Sequence, residues 1–155
     1  MTMRSYASIL FILITAPTFC QGVAAGIGSV FTHEATGMNG RLYYFPDDIW
    51  CFGVEGSFFP SAEDTEVSFN VHRLIEIERK FSLYPVAGLR WSERREEEGF
   101  IEAVDDGVSV NLGLGLHVPL GRFVPFTEYI YGIGFADEGS VMLGTFFILK
   151  EKGKF

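Results

Sequence analysis

Val108-Ser109-Val110-Asn111-Leu112-Gly113-Leu114-Gly115-Leu116-His117-Val118 is the stretch that decides the fold. Every even position carries Val or Leu, and every odd one carries Ser, Asn, Gly or His. A β-strand turns successive side chains to opposite faces, so this run has one bulky hydrocarbon wall and one small, polar wall. Soluble antiparallel sheets also alternate. The sequence goes further, because runs of about ten residues with this pattern recur from Gly22 to the end of the chain, with glycines filling one phase and aromatics near the run ends.

Working outward, eight strands are expected at about 22–32, 39–45, 50–59, 66–75, 82–92, 107–118, 124–135 and 140–150. Three connections are expected to be turns: Pro46 to Asp48, Glu76 to Phe81 and Pro119 to Arg122. The others, His33 to Met38, Pro60 to Thr65, Glu93 to Asp106 and Ala136 to Gly139, alternate with them, and the third is clearly the longest. Short turns at one end and longer loops at the other are the habit of membrane barrels, and an even strand number puts both termini at the turn end. Pro85, in mid-strand, cannot donate to the ladder, and a bulge is expected there.

The first twenty residues form a targeting segment. Arg4 gives the positive start, Tyr6 to Ala16 is an apolar stretch too short to span a bilayer, and Pro17 breaks it. Cleavage is expected between Cys20 and Gln21, giving a signal peptide over 1–20 and one barrel domain over 21–155. Lipoprotein processing at Cys20 is the competing outcome, but Phe19 is bulky where that signal wants a small residue. Losing Arg4 takes the formal charge from −8 to −9, which argues against nucleic acid as a partner. Cys51 is then the only cysteine left, and a small buried side chain is the expectation for it.

The phase of the alternation assigns the two walls. The outward, lipid-facing set is Trp50, Phe52, Val54, Val67, Phe69, Leu89, Trp91, Leu112, Leu114, Leu116, Tyr129 and Tyr131. A charge on such a wall costs about 2–4 kcal/mol at mid-membrane, and Arg41, Glu55, His72, Arg90, His117 and Glu128 all fall on the other one. Arg73 is the exception, outward but close to a turn. The interior of an eight-stranded barrel is just wide enough to be filled by side chains. Inward glycines such as Gly88, Gly113, Gly115 and Gly132 leave room for Arg41, Tyr43, Tyr84, Arg90 and Phe126, so a plugged lumen and no pore are expected.

At this point the chain resembles the small eight-stranded outer-membrane β-barrel proteins of the OmpA-transmembrane-domain and OmpX kind. The resemblance covers the whole mature chain and is carried by Phe81 to Leu89 (FSLYPVAGL), Val110 to Gly115 (VNLGLG) and the aromatic Phe126 to Tyr131 strand. Gly144, Phe147 and Leu149 resemble the spaced assembly signal of such proteins. The chain also ends in Phe155, although Lys150 to Lys154 separate it from the strand. The resemblance implies an all-β, up-and-down transmembrane barrel inserted by the barrel-assembly machinery into an outer membrane, among its lipid and lipopolysaccharide. It implies no single activity, since relatives serve as anchors, adhesins or lipid-modifying enzymes.

The inward charges are either a proton-linked or catalytic cluster or a salt-bridged network. The cost of unpaired buried charge favours the network. A lipid A deacylase would show His-x-Ser, but His33, His72 and His117 are followed two residues on by Ala35, Leu74 and Pro119. A lipid A palmitoyltransferase draws His, Asp and Ser from outer loops. His33, Asp64 and Ser61 are the residues available for that role, without its surrounding context. The expectation is therefore no enzyme, no cofactor and no metal. The acidic part of the long loop, Glu96, Glu97, Glu98, Asp105 and Asp106, could meet cations or an extracellular partner, but it lacks EF-hand spacing and reads first as a solvated surface. A monomer with a structural or surface-interaction role is expected. A secreted soluble barrel of the lipocalin type, with its bulky wall turned inward around a small hydrophobic ligand, is the alternative.

Overall fold

The computed structural model describes residues 22–77, 81–98, 101–135 and 137–151. The strands are β1 (Gly22–Phe31), β2 (Thr36–Phe45), β3 (Trp50–Phe59), β4 (Asp64–Arg73), β5 (Ile75–Ile77), β6 (Phe81–Glu98), β7 (Ile101–His117), β8 (Phe123–Gly134) and β9 (Gly139–Glu151). Apart from β4 and β5, strands adjacent in the chain pair antiparallel with one another. β1 also pairs β9, and β4 pairs β6, so the sheet closes on itself. β5 continues β4 along the same edge of β6, which makes eight staves of nine segments.

The break between β4 and β5 lies opposite Pro85. His72 pairs with Val86 and Ile75 with Leu83, so Arg73 and Leu74 face Pro85 and Tyr84 with no register change. The expected bulge at Pro85 is therefore absent. The proline has no N–H to give, and the ladder simply skips a rung. Leu74 turns its own N–H to the carbonyl of Ile49 instead, at 2.6 Å. A register shift does occur at the seam, between Val23 and Ala24 against β9.

The connection expected over Glu93–Asp106 is a second correction. β6 runs on to Glu98 and β7 begins at Ile101, with rungs from Glu93↔Asp106 to Glu98↔Ile101. β4 accompanies β6 only as far as Thr65↔Glu93, and β8 accompanies β7 only from Ser109↔Gly134. The hairpin thus rises past the neighbouring strands as a two-stranded ribbon. The turn expected over Glu76–Phe81 is likewise shorter, because β5 occupies Ile75–Ile77.

Sequence chemistry fixes the remaining corners. Asp47 Oδ1 accepts hydrogen bonds from the N–H groups of Ile49 (2.8 Å) and Trp50 (2.7 Å), a side-chain turn that launches β3. Gly121, at φ 69°, takes the left-handed position in the turn from β7 to β8, where Leu120 N–H reaches the Phe123 carbonyl at 2.8 Å. The loop end of the barrel carries residues 32–35, 60–63, 135, 137 and 138 and the β6–β7 hairpin. The turn end carries Gly22, residues 46–49 and 118–122.

Sidedness is inverted relative to a water-soluble barrel. Phe69 is 61% exposed and Leu114 57%, whereas Arg90 and Glu128 are each 1% exposed. The bulky wall faces out and the polar wall faces in, the opposite of what a lipocalin-type ligand barrel requires.

Candidate functional site: the polar barrel interior

The inward residues stack in layers along the barrel axis, and antiparallel register decides who meets whom. In the middle layer Arg41 on β2 stands directly opposite Glu55 on β3. The guanidinium gives Nη2 to Glu55 Oε2 at 3.3 Å, Nη1 to Glu128 Oε2 on β8 at 2.8 Å and to the Tyr43 hydroxyl oxygen at 2.6 Å, and Nε to Asn39 Oδ1 at 2.7 Å. Its flat face lies over Phe126, 4.2 Å from the ring centroid. Tyr84 donates its hydroxyl to the other oxygen of Glu128 at 2.8 Å. Two carboxylates and one planar fork are thus held with most of their polar atoms satisfied, the condition for tolerating buried charge.

The layer nearer the loop end is built on Arg90 of β6. Its Nε donates to Asn111 Oδ1 at 3.0 Å and its Nη1 lies 3.3 Å from Glu66 Oε1, which also accepts from Ser92 Oγ at 3.2 Å. Asn111 Nδ2 reaches Asn70 Oδ1 at 3.1 Å. At the loop end, Arg94 and Glu138 meet at 2.6 Å, with His33 3.7 Å from the same carboxylate. Burial raises the Glu138 carboxyl above its ordinary range, and Arg94 pulls it back.

The layer nearer the turn end is aromatic. His72 stacks on Tyr84 with centroids 5.3 Å apart, and Tyr84 packs against His117 at 5.3 Å. A small chamber there is lined by Tyr43, Cys51, His72, Tyr84, His117 and Phe146, among others. Room for these rings depends on register. Gly115 stands between Tyr84 and Glu128 on the flanking strands, and a Cβ there would run into the Tyr84 ring. Gly88 plays the same part beside Asn70.

The structure places Arg41, Glu55 and Glu128 in one network and sets Arg90 in another. His72 lies 3.9 Å from Glu55, while His117 is half-buried and packs against the rings of Tyr84 and Phe146. Trp50, Phe52, Val54, Phe69, Leu89, Trp91, Leu112, Leu114, Tyr129 and Tyr131 are exposed on the outer wall, with Val67 and Leu116 partly covered. Glu96, Glu97 and Glu98 lie on β6, with side chains outside the described residues. Asp105 is exposed, and Asp106 accepts a hydrogen bond from the Trp91 indole at 3.1 Å. Sequence reasoning missed Glu66, although it shares the phase of Ser68, Asn70 and His72 and so was legible as an inward acid. Among the described residues no group of side chains is placed to hold a metal ion.

No protein-family model and no curated protein matches the chain. Solved structures do. The N-terminal β-barrel domain of Pseudomonas aeruginosa OprF superimposes with a TM-score of 0.75 at 15% identity, over 84% of this chain and 98% of that one. Ail, the attachment invasion locus protein of Yersinia pestis, gives 0.61 at 17% identity, over 83% and 99%. Neisserial surface protein A gives 0.53 at 15%, over 83% and 94%. The fold of this chain is that of the small eight-stranded outer-membrane β-barrels.

Proposed function

We propose that the protein is an integral outer-membrane barrel with a sealed interior and a structural or surface-interaction role. One observation carries this: a closed cylinder whose outer wall is hydrocarbon and whose charges, among the described residues, are turned inward or toward the rims. A closed barrel satisfies every backbone group internally, which is what a strand structure needs in order to cross lipid. The ion pairs and rings inside the lumen support a closed interior rather than a pore. The proposed surroundings are outer-membrane lipid and lipopolysaccharide, reached after export behind the 1–20 segment and insertion by the barrel-assembly machinery. The β6–β7 ribbon, with Asp105 and Asp106, is the surface placed to meet an extracellular partner. No enzymatic role is proposed, since the carboxylates beside His33, Glu34 at 3.2 Å and Glu138 at 3.7 Å, do not by themselves make a site.

The test is gel migration of detergent-extracted protein with and without boiling, alongside membrane fractionation. A folded membrane barrel shifts on heating and stays with the outer membrane. Free protein in the periplasmic fraction with no heat shift would overturn the proposal. Stable channel conductance in planar bilayers would overturn the sealed interior alone.

A further inference from the structure

The closed interior holds an uneven set of charges. Among the described residues the buried acids are Glu55, Glu66 and Glu128, the buried guanidiniums are Arg41 and Arg90, and His72 lies beside them. Three carboxylates against two permanently charged guanidiniums leave one negative charge over if His72 is neutral. A sealed interior tolerates unbalanced charge poorly, and a group placed there takes up a proton instead.

The hydrogen bonds show where the surplus sits. Arg41 answers Glu128 at 2.8 Å and Glu55 at 3.3 Å through its Oε2, and Arg90 answers Glu66 at 3.3 Å. Among the described residues four buried polar atoms lack a hydrogen-bond partner, the donors Asn70 Nδ2 and Arg90 Nη2 and, 3.9 Å from one another, Glu55 Oε1 and His72 Nε2. When the neutral ring carries its proton on Nδ1, Nε2 and the carboxylate oxygen are both acceptors and cannot satisfy one another. One added proton makes one of them a donor.

We infer that Glu55 and His72 hold one shared proton inside the closed barrel at neutral pH, forming a proton-binding site above the turn-end chamber. The ionisable groups facing the pair are Arg41 and Tyr43 on β2, Cys51 on β3, Glu66 on β4, Tyr84 and Arg90 on β6, His117 on β7 and Glu128 on β8. Of these, His117 is the group whose ordinary titration lies near neutral pH. It lines the same chamber as His72 and is the more exposed of the two rings, so the turn end is the side from which the proton enters and leaves.

The test is spectroscopic, on the full mature barrel refolded in detergent. Infrared spectra should show a carboxylic-acid carbonyl band at neutral pH that disappears in Glu55→Gln, or 15N spectra should show a doubly protonated ring at His72. Refolding near neutral pH should take up ~1 proton more for the parent than for Glu55→Gln. If Glu55→Gln does not fold, His72→Gln replaces it, and the acid band must then persist on Glu55. A neutral His72 ring together with no carboxylic-acid band in the folded parent protein overturns the inference.

Discussion

Arg41 Nη1 stands 2.8 Å from Glu128 Oε2, joining β2 to β8 across the barrel interior although the two residues are 87 positions apart in the chain. The same guanidinium also holds Glu55, so removing it strands two buried carboxylates. Arg41→Met is expected to destabilise the folded barrel by about 3–5 kcal/mol, the usual cost of breaking a buried pair from one side. Adding Glu55→Gln and Glu128→Gln should recover part of that loss. Urea titration followed by the fluorescence of Trp50 and Trp91 measures both.

The outer wall makes a depth-dependent prediction. Leu112 points outward in the middle of the part of β7 flanked by both neighbouring strands, whereas Phe123 points outward at the first residue of β8. Leu112→Arg should cost about 2–4 kcal/mol in a bilayer and Phe123→Arg about 0–1 kcal/mol. Equal costs in lipid would contradict the assigned sidedness. Spin labels at Leu112 and Leu114 should respond to lipid-dissolved oxygen and be shielded from water-borne relaxation agents.

Gly115 is where backbone and ring come closest. A side chain there would displace Tyr84 and with it the 2.8 Å bond to Glu128. Gly115→Val is expected to destabilise by about 1–3 kcal/mol through overpacking. Gly40 on β2 has open space at its Cβ position, so Gly40→Val should be far milder in the same refolding assay.

Glu138 gives a pH prediction with a definite sign. Burial holds its carboxyl above the ordinary range, so the ionised form is penalised in the folded state. Its contribution to stability is fullest below the unfolded-state pKa and is lost as pH rises through the folded-state value. Glu138→Gln should flatten that part of the stability profile. Because Arg94 and Glu138 are both partly exposed, Arg94→Met should cost less than about 1 kcal/mol.

Much of this was readable because the period of a strand is two. Once Leu112 and Leu114 are set outward, parity places Arg90, Glu128 and His72 inside without knowledge of any contact. Parity does not say which inward groups meet. The pairings of Arg41 with Glu128 and of Arg90 with Glu66 depend on curvature and stagger across non-adjacent strands. The β6–β7 ribbon was hidden for a different reason. Rungs such as Glu93↔Asp106 and Arg94↔Asp105 are charged on both walls, and strands outside lipid need not alternate apolar with polar. Pro85 was read as a distortion of its own strand, but the rung is missing where β4 gives way to β5.

The seam between β1 and β9 has a bearing on how the molecule is made. The first stave finds its second neighbour only when the last one arrives, and until β8 is in place Arg41 faces Glu55 without Glu128. A half-built cylinder would therefore present bare amide edges and a half-satisfied guanidinium to hydrocarbon at the same time. Insertion that stalls midway is penalised twice over, so release into the bilayer should follow closure as a single concerted event.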